Sequence, residues 1–241
     1  MNLKDKIAII TGSGRGIGKD TGLALAKEGC KVVLVSVSRT VGELEKTKKE
    51  IIDSGGNAIF IVADLTKKED IEKIIKRTLT EYRRIDILIN NAAVLFSSPF
   101  HEITEEQWDT TMNTNLKAVF FLSQKVLEIM KNQKSGYIIN VSSTAALYVA
   151  PSNAVYGISK LGLVGLSQAM YEIGKEYGVK VSTIYPGMTD TKMLRDLNIS
   201  VSPEKWMAPE DIAGCILFLL KQSSRIVIKE LIPWAARYDK I

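Results

Sequence analysis

The feature that most constrains this chain is a glycine-rich loop near its start, set between a short apolar run and an amphipathic segment. The run Lys6-Ile-Ala-Ile-Ile-Thr11 has the β-branched residues typical of a buried strand, and the loop Gly12-Ser-Gly-Arg-Gly-Ile-Gly18 follows it directly. Its glycines fit G-x-x-x-G-x-G rather than G-x-G-x-x-G. Glycine lets the main chain approach a phosphate closely, and a helix that starts there directs free N–H groups at an anion. The order of strand, loop and helix therefore predicts a nucleotide-binding loop rather than a flexible surface turn.

Strand-like apolar runs alternate with amphipathic helical segments along the whole chain. No Pro-, Gly- or Ser-rich linker, repeat or low-complexity tract interrupts the alternation, so we predict one domain over residues 1–241. Such alternation is typical of α/β proteins with a doubly wound, mostly parallel sheet that carries helices on both faces. The predicted strands are 6–11, 31–36, 57–63, 85–90, 135–142, 179–185 and 225–232, which makes a seven-stranded sheet.

A serine, a tyrosine and a lysine fall where they can share one reaction centre. Tyr156 opens an apolar helical segment, and Lys160 lies one turn further on the same face. Ser143 follows the fifth predicted strand, thirteen residues before the tyrosine. A free tyrosine titrates near a pKa of ~10, and a neighbouring ammonium group lowers that pKa. The three residues therefore predict a centre that exchanges a proton near neutral pH.

The tyrosine–lysine spacing alone is weak, because the chain repeats it elsewhere. Tyr171 and Lys175 have the same spacing, yet Ile158 stands thirteen residues before that tyrosine. On spacing alone, an ordinary surface or core pair is as good an interpretation as a catalytic pair.

Several further motifs follow the predicted strands in order. They are Asp64-Leu65, Asn90-Asn-Ala-Ala93, Asn115 within Met112-Asn-Thr-Asn-Leu116, and Pro186-Gly-Met-Thr-Asp-Thr191. With the glycine loop and the Ser143, Tyr156 and Lys160 set, the chain resembles the short-chain dehydrogenase/reductase family over nearly its whole length. It is most similar to the single-domain branch of 3-oxoacyl-[acyl-carrier-protein] reductases and related NADP(H)-dependent carbonyl reductases, which implies a Rossmann-type sheet.

The chain departs from the family pattern at two places. Ala93 stands where the family usually has glycine, and Lys229-Glu-Leu-Ile-Pro-Trp-Ala235 replaces the common Val-Asp-Gly-Gly. The second departure leaves the subfamily open.

The resemblance implies roles for individual residues. Asp64 would bond the adenine edge and Leu65 would pack on the ring, although Asp64 or Thr66 could instead cap a helix. Asn115 would be a fourth catalytic residue whose main-chain carbonyl holds a water linked to Lys160, although a buried asparagine that satisfies its own neighbours is the plainer interpretation. The other implied cofactor contacts are Gly12, Ser13, Gly14, Arg15, Gly16, Ile17 and Gly18 at the phosphates, Asn91, Ala92, Tyr156 and Lys160 at the nicotinamide ribose, and Pro186, Gly187, Thr189 and Thr191 at the carboxamide.

The choice between NADP(H) and NAD(H) depends on the end of the second strand. An acid there would bond the ribose hydroxyls of NAD and repel a 2′-phosphate, but the matching residue is Ser36. Arg15 and Arg39 could both reach a phosphate, and Ser38, next to Arg39, is a further candidate contact. Val37 occupies the position where the family usually has a basic residue. We therefore favour NADP(H) over NAD(H).

Composition excludes several other classes of protein. No stretch approaches ~20 apolar residues and no signal peptide precedes the first strand, so we expect no membrane partner. The net charge of +5 comes from lysines interleaved with acids, which argues against a nucleic-acid partner. Cys30 and Cys215 suit a reducing cytoplasm, and the single histidine, His101, provides no metal site and is expected on the surface.

Three functions remain open at this point. The first is an NADP(H)-linked reductase of ketones, most of all 3-oxoacyl thioesters, in which Ser143 and Tyr156 stabilise the carbonyl oxygen and Tyr156 delivers the proton. The second is an NAD(H)-linked sugar or polyol dehydrogenase. The third is a non-catalytic nucleotide-binding sensor or scaffold, which the intact set of four catalytic residue types disfavours. Segment 188–207 should cover the substrate. The resemblance also implies a homo-oligomer, a tetramer or a dimer, formed through the long helices 104–132 and 154–177, although apolar faces on long helices are more often part of the core.

Overall fold

Seven parallel strands form one sheet in the computed structural model of the protein, which describes residues 2–197 and 205–236. Across the sheet the strands follow the order 3-2-1-4-5-6-7, so the chain winds outward from the centre in both directions. This arrangement confirms the predicted Rossmann-type doubly wound fold. In chain order the strands are β1 (Ile7–Thr11), β2 (Lys31–Ser36), β3 (Asn57–Val62), β4 (Ile87–Asn90), β5 (Gly136–Val141), β6 (Val179–Ile184) and β7 (Glu230–Leu231).

Helices cover both faces of the sheet, because alternate residues of each strand point to opposite sides. In β1, Ile10 packs in an apolar cluster with Leu25 and Ile216, while Ile9 packs on the other face with Ile74. The helices are α1 (Gly16–Lys27), α2 (Val41–Asp53), α3 (Lys68–Tyr82), α4 (Glu105–Met112), α5 (Ala118–Gln133), α6 (Ala154–Gly174), α7 (Lys192–Arg195) and α8 (Pro209–Lys221).

The seventh strand is much shorter than the predicted segment 225–232. Side chains of β6 donate hydrogen bonds to main-chain carbonyl groups in the segment before β7. Lys180 Nζ donates to the carbonyl oxygens of Ser223 and Ile226, and Ser182 Oγ donates to that of Ile228. Regular pairing with β6 is limited to Glu230 and Leu231.

The two long predicted helices are also modified. The segment 104–132 is split between α4 and α5 by a π-helical turn at Asn113–Lys117. Its start is confirmed, because Thr104 caps α4 with a reciprocal bond to Gln107. The segment 154–177 is α6 followed by a 3₁₀ turn, Lys175–Tyr177. Within the described residues, no helix is long and apolar enough to span a membrane.

Candidate active site

A cavity of about 1260 Å³ opens at the edge of the sheet where the parallel strands end. It is larger than a typical small-molecule site, so it can take a dinucleotide together with a substrate. Most of the predicted site residues lie on its wall. They are Gly12, Gly14, Arg15, Gly16, Ile17, Ser36, Arg39, Asp64, Leu65, Asn91, Ala92, Ser143, Tyr156, Lys160, Pro186, Gly187, Thr189 and Thr191.

Three predicted cofactor contacts do not line the cavity. Ser13 is buried behind the loop, where its hydroxyl lies 3.3 Å from the carbonyl oxygen of Val35. Gly18 is buried inside the first turn of α1. Ser38 is exposed at the start of a 3₁₀ turn. Ser13 and Gly18 therefore support the loop from behind, and the cavity wall does not include these three predicted cofactor contacts.

The glycine loop requires glycine at its two ends. A Cβ atom on Gly18 would lie 2.4 Å from the carbonyl oxygen of Gly12, and one on Gly12 would lie 2.8 Å from Cα of Ala92. Gly12 also has a φ of +66°, which a residue with a side chain rarely adopts. The N-terminus of α1, with no acidic residue in its first turn, opens beside this loop and suits an anion.

Thr11 holds the loop against the end of β4. Its Oγ1 accepts hydrogen bonds from the main-chain N–H groups of Asn91 (2.9 Å) and Ala92 (3.0 Å). In return, Nδ2 of Asn91 donates to the carbonyl oxygens of Thr11 (2.9 Å) and Gly12 (3.2 Å). Sequence reasoning did not identify this role of Thr11, although a hydroxyl residue directly before the loop was a usable signal.

The end of β2 carries hydroxyls and no carboxylate. The hydroxyl of Thr40, another residue that sequence reasoning missed, lies 2.8 Å from Oγ of Ser36. Arg15 and Arg39 line the cavity here, are exposed, and form no ion pair with any residue in the described ranges. Two unpaired guanidinium groups make this end of the cavity suitable for an anion.

Asp64 forms a local turn instead of capping a helix. Its Oδ1 accepts from the main-chain N–H of Thr66 (3.0 Å) and from the Thr66 hydroxyl (2.7 Å). Because α3 begins at Lys68, neither residue occupies its N-cap, so the capping alternative is wrong.

Lys160 is buried in α6, one helical turn after Tyr156. Its Nζ donates a 2.7 Å hydrogen bond to the carbonyl oxygen of Val141 and lies 5.6 Å from the centre of the Tyr156 ring. The hydroxyl of Ser142 donates to the carbonyl oxygen of Lys160 (3.0 Å), which attaches α6 to the end of β5. Ser143, Tyr156 and Lys160 thus meet at one point on the cavity wall, as predicted.

Burial moves the pKa values of this centre away from those of free residues. Burial raises the pKa of Tyr156 to about 12, although a hydrogen bond from the Ser143 hydroxyl acts in the opposite direction. Burial also lowers the pKa of Lys160 to about 7. The expected lowering of the tyrosine pKa is therefore wrong for this arrangement, because burial disfavours the phenolate more than the hydrogen bond with Ser143 favours it.

Asn115 lies in the π-helical turn and connects three segments. Its Oδ1 accepts from the main-chain N–H of Val94 (2.8 Å), and its Nδ2 donates to the carbonyl oxygen of Val94 (2.9 Å) and to Ser159 Oγ (3.1 Å). The hydroxyl of Ser159 in turn donates to the carbonyl oxygen of Tyr156 (2.7 Å). The side chain thus satisfies its own neighbours, and through them it fixes the helix that carries Tyr156.

Comparison with known proteins decides the family. Residues 6–201 match the sequence pattern of the family described as short chain dehydrogenase. The chain belongs to the short-chain dehydrogenase/reductase family. It is therefore an oxidoreductase that acts on CH–OH or carbonyl groups with NAD(P).

Relatives and solved structures agree with this membership. A protein of Thermotoga maritima named an uncharacterized oxidoreductase is 38% identical over 231 residues, which are 96% of this chain and 86% of the relative. A 3-oxoacyl-[acyl-carrier-protein] reductase of Synechocystis is 35% identical over 222 residues, 90% of each chain. The crystal structure of a metagenomic short-chain oxidoreductase in complex with NADP is 32% identical, with a TM-score of 0.84 over 97% of this chain and 99% of that chain.

The second tyrosine–lysine pair lies away from the cavity of this short-chain dehydrogenase/reductase. Lys175 is exposed and forms an ion pair with Glu172, and the Tyr171 ring faces the Nζ of Lys229 at 4.1 Å. Neither Tyr171 nor Lys175 lines the cavity. Of the two pairs, Tyr156 and Lys160 are the one that lines the cavity.

The cavity wall includes residues outside the sequence-based set. Asn153, at the start of α6, and Trp234, just after β7, both line the wall. The main-chain N–H of Gly187 donates to the carbonyl oxygen of Pro233 (3.2 Å), so the unusual C-terminal segment places Trp234 beside the predicted carboxamide contacts. The sequence signal that could have identified Trp234 was the departure of segment 229–235 from the family pattern.

The predicted covering segment 188–207 is closed at its base. A bridge pairs Thr189 with Met207, and Arg195 forms an ion pair with Asp190. Residues 198–204 of this segment lie outside the described residues. His101 is exposed, as expected, and no group of three or more His, Cys, Asp or Glu side chains in the described ranges could hold a metal ion.

Proposed function

We propose that this protein is an NADP(H)-dependent ketoreductase whose principal substrates are 3-oxoacyl thioesters. The observation that carries the cofactor preference is that Arg15 and Arg39 line the cavity with no ion-pair partner in the described ranges, while β2 ends in Ser36 instead of an acid. The 2′-phosphate of NADP(H) would provide an anion with which these two guanidinium groups could pair.

The remaining predicted contacts support a dinucleotide laid along the cavity. The glycine loop and the N-terminus of α1 would hold the pyrophosphate. Asp64 and Leu65 would hold the adenine, and Asn91, Ala92 and Lys160 the nicotinamide ribose. Pro186, Gly187, Thr189 and Thr191, which also line the cavity, would hold the carboxamide.

The nicotinamide supplies a hydride to the carbonyl carbon when the cofactor is bound. Negative charge then grows on the carbonyl oxygen, where the hydroxyls of Ser143 and Tyr156 can donate hydrogen bonds. The Tyr156 O–H bond breaks and its proton passes to that oxygen, which leaves an alcohol. With a pKa of about 12, Tyr156 holds its proton at neutral pH, so it is ready to act as the acid in the direction of reduction.

Lys160 and Asn115 support this step without touching the carbonyl. Lys160 is placed by Val141 to stabilise the phenolate that forms when the proton leaves. The main-chain carbonyl of Asn115 would hold a water molecule that returns a proton toward Lys160.

Apolar side chains on the substrate side support a 3-oxoacyl chain. Met188, Met193, Leu194 and Leu197 line this wall together with Lys192, a combination that suits an acyl chain with a polar head. The 35% identical relative named a 3-oxoacyl-[acyl-carrier-protein] reductase agrees with this choice.

We further propose that the chain forms a homo-oligomer through α5 and α6. Phe120 and Phe121 of α5, and Ile158 and Leu161 of α6, are large apolar residues exposed to solvent. A second copy would cover them. Light scattering would test this, since a single-copy mass would contradict the proposal.

Steady-state kinetics test the proposed function. We expect NADPH to support reduction of acetoacetyl-CoA with at least tenfold higher kcat/KM than NADH. Oxidation of xylitol with NAD⁺ serves as the competing assay. A higher kcat/KM in that assay would overturn the proposal in favour of a polyol dehydrogenase.

A further inference from the structure

Two aromatic side chains combine exposure to solvent with a place on the cavity wall. Of the large apolar side chains that are exposed in the described ranges, only Tyr148 and Trp234 line the cavity. Tyr148 is 68% exposed and Trp234 is 43% exposed. A single exposed apolar side chain is ordinary on a protein surface, but two aromatic rings open to one cavity offer apolar area for a ligand to cover.

Tyr148 is carried by the turn that follows Ser143. The main-chain N–H of Tyr148 donates to the carbonyl oxygen of Thr144 (3.1 Å), and the main-chain N–H of Thr144 donates to the carbonyl oxygen of Pro186 (3.1 Å). The main-chain N–H of Ala145 donates to Ser143 Oγ (3.1 Å) within the same turn. The turn that holds the Ser143 hydroxyl therefore also holds the main chain of Tyr148.

Trp234 is brought to the same place by the segment after β7. The main-chain N–H of Gly187, the residue after Pro186, donates to the carbonyl oxygen of Pro233 (3.2 Å). A Cβ atom on Gly187 would lie 3.5 Å from that oxygen and 3.9 Å from Cγ2 of Thr144. Gly187 thus contacts the segments that carry both rings, so the two rings start from neighbouring points of the wall.

Two methionines add to the apolar character of this wall. Met188 follows Gly187 directly and Met193 lies in α7, and both line the cavity. A thioether sulfur makes favourable contacts with an aromatic ring, often at the ring edge. Tyrosine and tryptophan rings also attract an aromatic partner, stacked or edge-to-face, by more than buried area contributes. All four side chains therefore favour an aromatic ring over an aliphatic group of similar size.

We propose that Tyr148 and Trp234 form an aromatic subsite, and that the protein reduces 3-oxoacyl compounds with an aromatic ring close to the ketone. The hydride is added to the ketone carbon and the Tyr156 proton to its oxygen. The ketone becomes an alcohol, and the ring is unchanged. This inference rests on the proposed function and names the group that stands beside the ketone.

The position of the subsite decides which part of the substrate carries the ring. Ser143 and Tyr156 are the proposed donors to the carbonyl oxygen, and Tyr148 belongs to the turn that holds Ser143. A ketone bound by these donors has its nearest substituent, rather than the distant end of a long chain, beside the two rings.

A matched pair of 3-oxo esters tests the inference. Ethyl 3-oxo-4-phenylbutanoate and ethyl 4-cyclohexyl-3-oxobutanoate differ only in the ring, and a methylene group separates that ring from the ketone, so the two carbonyl groups are similarly reactive. The cyclohexyl ring is larger and more apolar, so a site that acts through burial alone would favour it. With NADPH, we expect the wild-type protein to prefer the phenyl ester by about fivefold or more in kcat/KM.

Variants assign the preference to the two rings. Trp234→Leu and Tyr148→Leu should each lower the kcat/KM ratio about threefold, and the double variant should bring it to about one or below. Trp234→Phe and Tyr148→Phe should keep the preference, because each retains an aromatic ring. Trp108→Leu is the matched control. Trp108 is also 43% exposed but lies on α4 and does not line the cavity, so its loss should leave the ratio unchanged.

Three results would overturn the inference. They are a ratio of one or below in the wild-type protein, a preference that survives in the double variant, and an equal fall of the ratio in Trp108→Leu. The Tm of the leucine variants should equal that of the wild type, because both rings are exposed. A lowered Tm with an unchanged ratio would assign the rings a structural role instead.

A binding measurement does not depend on turnover. With NADP⁺ or NAD⁺ no hydride is available to a ketone, so calorimetry can compare the two esters as ligands. The phenyl ester should bind the wild-type protein about fivefold more tightly, and the double variant should lose this difference. If neither ester were reduced, the proposed function would fail, while the binding difference would still support the subsite. Equal binding of the two esters would overturn the subsite.

Discussion

The Nζ atom of Lys160 donates a 2.7 Å hydrogen bond to the main-chain carbonyl oxygen of Val141. This bond joins α6 to the end of β5, and the Lys160 side chain is almost fully buried there. A buried lysine with one neutral partner loses more hydration than it regains, which is why its pKa falls to about 7.

This lowered pKa predicts how stability depends on pH. The unfolded chain keeps a proton on Lys160 up to a pKa near ~10.4, while the folded chain releases it near 7. The unfolded state therefore binds more protons between these values, and the free energy of unfolding should rise with pH there, by up to about 1.4 kcal/mol per unit. Denaturant unfolding at pH 7, 8 and 9 would measure the slope.

Lys160→Met provides the comparison for that slope. The variant keeps an unbranched side chain but cannot titrate, so its stability should rise less with pH than that of the wild type. The raised pKa of Cys30 lowers stability above pH 9, equally in both proteins, so it cancels in the difference. Equal slopes in the two proteins would show that Lys160 keeps its ordinary pKa when folded.

Arg39→Ala should separate the two cofactors. Loss of a hydrogen bond to a charged group typically costs ~1.5–3 kcal/mol, so the variant should bind NADPH that much more weakly and NADH almost unchanged. Titration of cofactor fluorescence would measure both affinities. Arg77→Ala, an exposed arginine of α3 away from the cavity, should change neither. A parallel loss for both cofactors would place Arg39 outside a 2′-phosphate site.

Gly18→Ala should damage the nucleotide loop. The new Cβ would lie 2.4 Å from the carbonyl oxygen of Gly12, and neither main-chain segment can move without shifting the loop. We expect a loss of about 3 kcal/mol in stability, together with weaker cofactor binding. Gly214→Ala in α8 meets nothing within 4 Å and should stabilise the protein by about 0.5–1 kcal/mol. Similar effects of the two variants on stability would contradict the close packing of the loop.

Much of the fold could be predicted because its determinants are local. The structures of apolar runs such as Lys31–Ser36 and of the glycine loop are determined by a few adjacent residues. The carboxyl ends of parallel strands must also meet at one edge of the sheet. That rule brought Ser143, Tyr156 and Lys160 to the same cavity as the loop.

The features that could not be predicted depend on distant partners. In the segment before β7, the carbonyl oxygen of Ser223 accepts a hydrogen bond from Lys180, 43 residues away. The buried, unpaired Oδ1 of Asn153 could not be predicted, because an asparagine at a helix start normally caps the helix. The raised pKa of Tyr156 likewise follows from burial, which spacing along a helix does not reveal.

The most direct test of the account is the turnover of Tyr156→Phe beside that of Tyr171→Phe, with NADPH and acetoacetyl-CoA. Phenylalanine keeps the ring and its packing but removes the transferable proton, so Tyr156→Phe should lower kcat by ~10²–10⁴ while leaving Tm and cofactor binding intact. Tyr171→Phe removes a hydroxyl from the same helix but away from the cavity, so it should leave kcat almost unchanged. Normal ketone reduction by both variants would contradict the catalytic assignment and favour a nucleotide-binding scaffold.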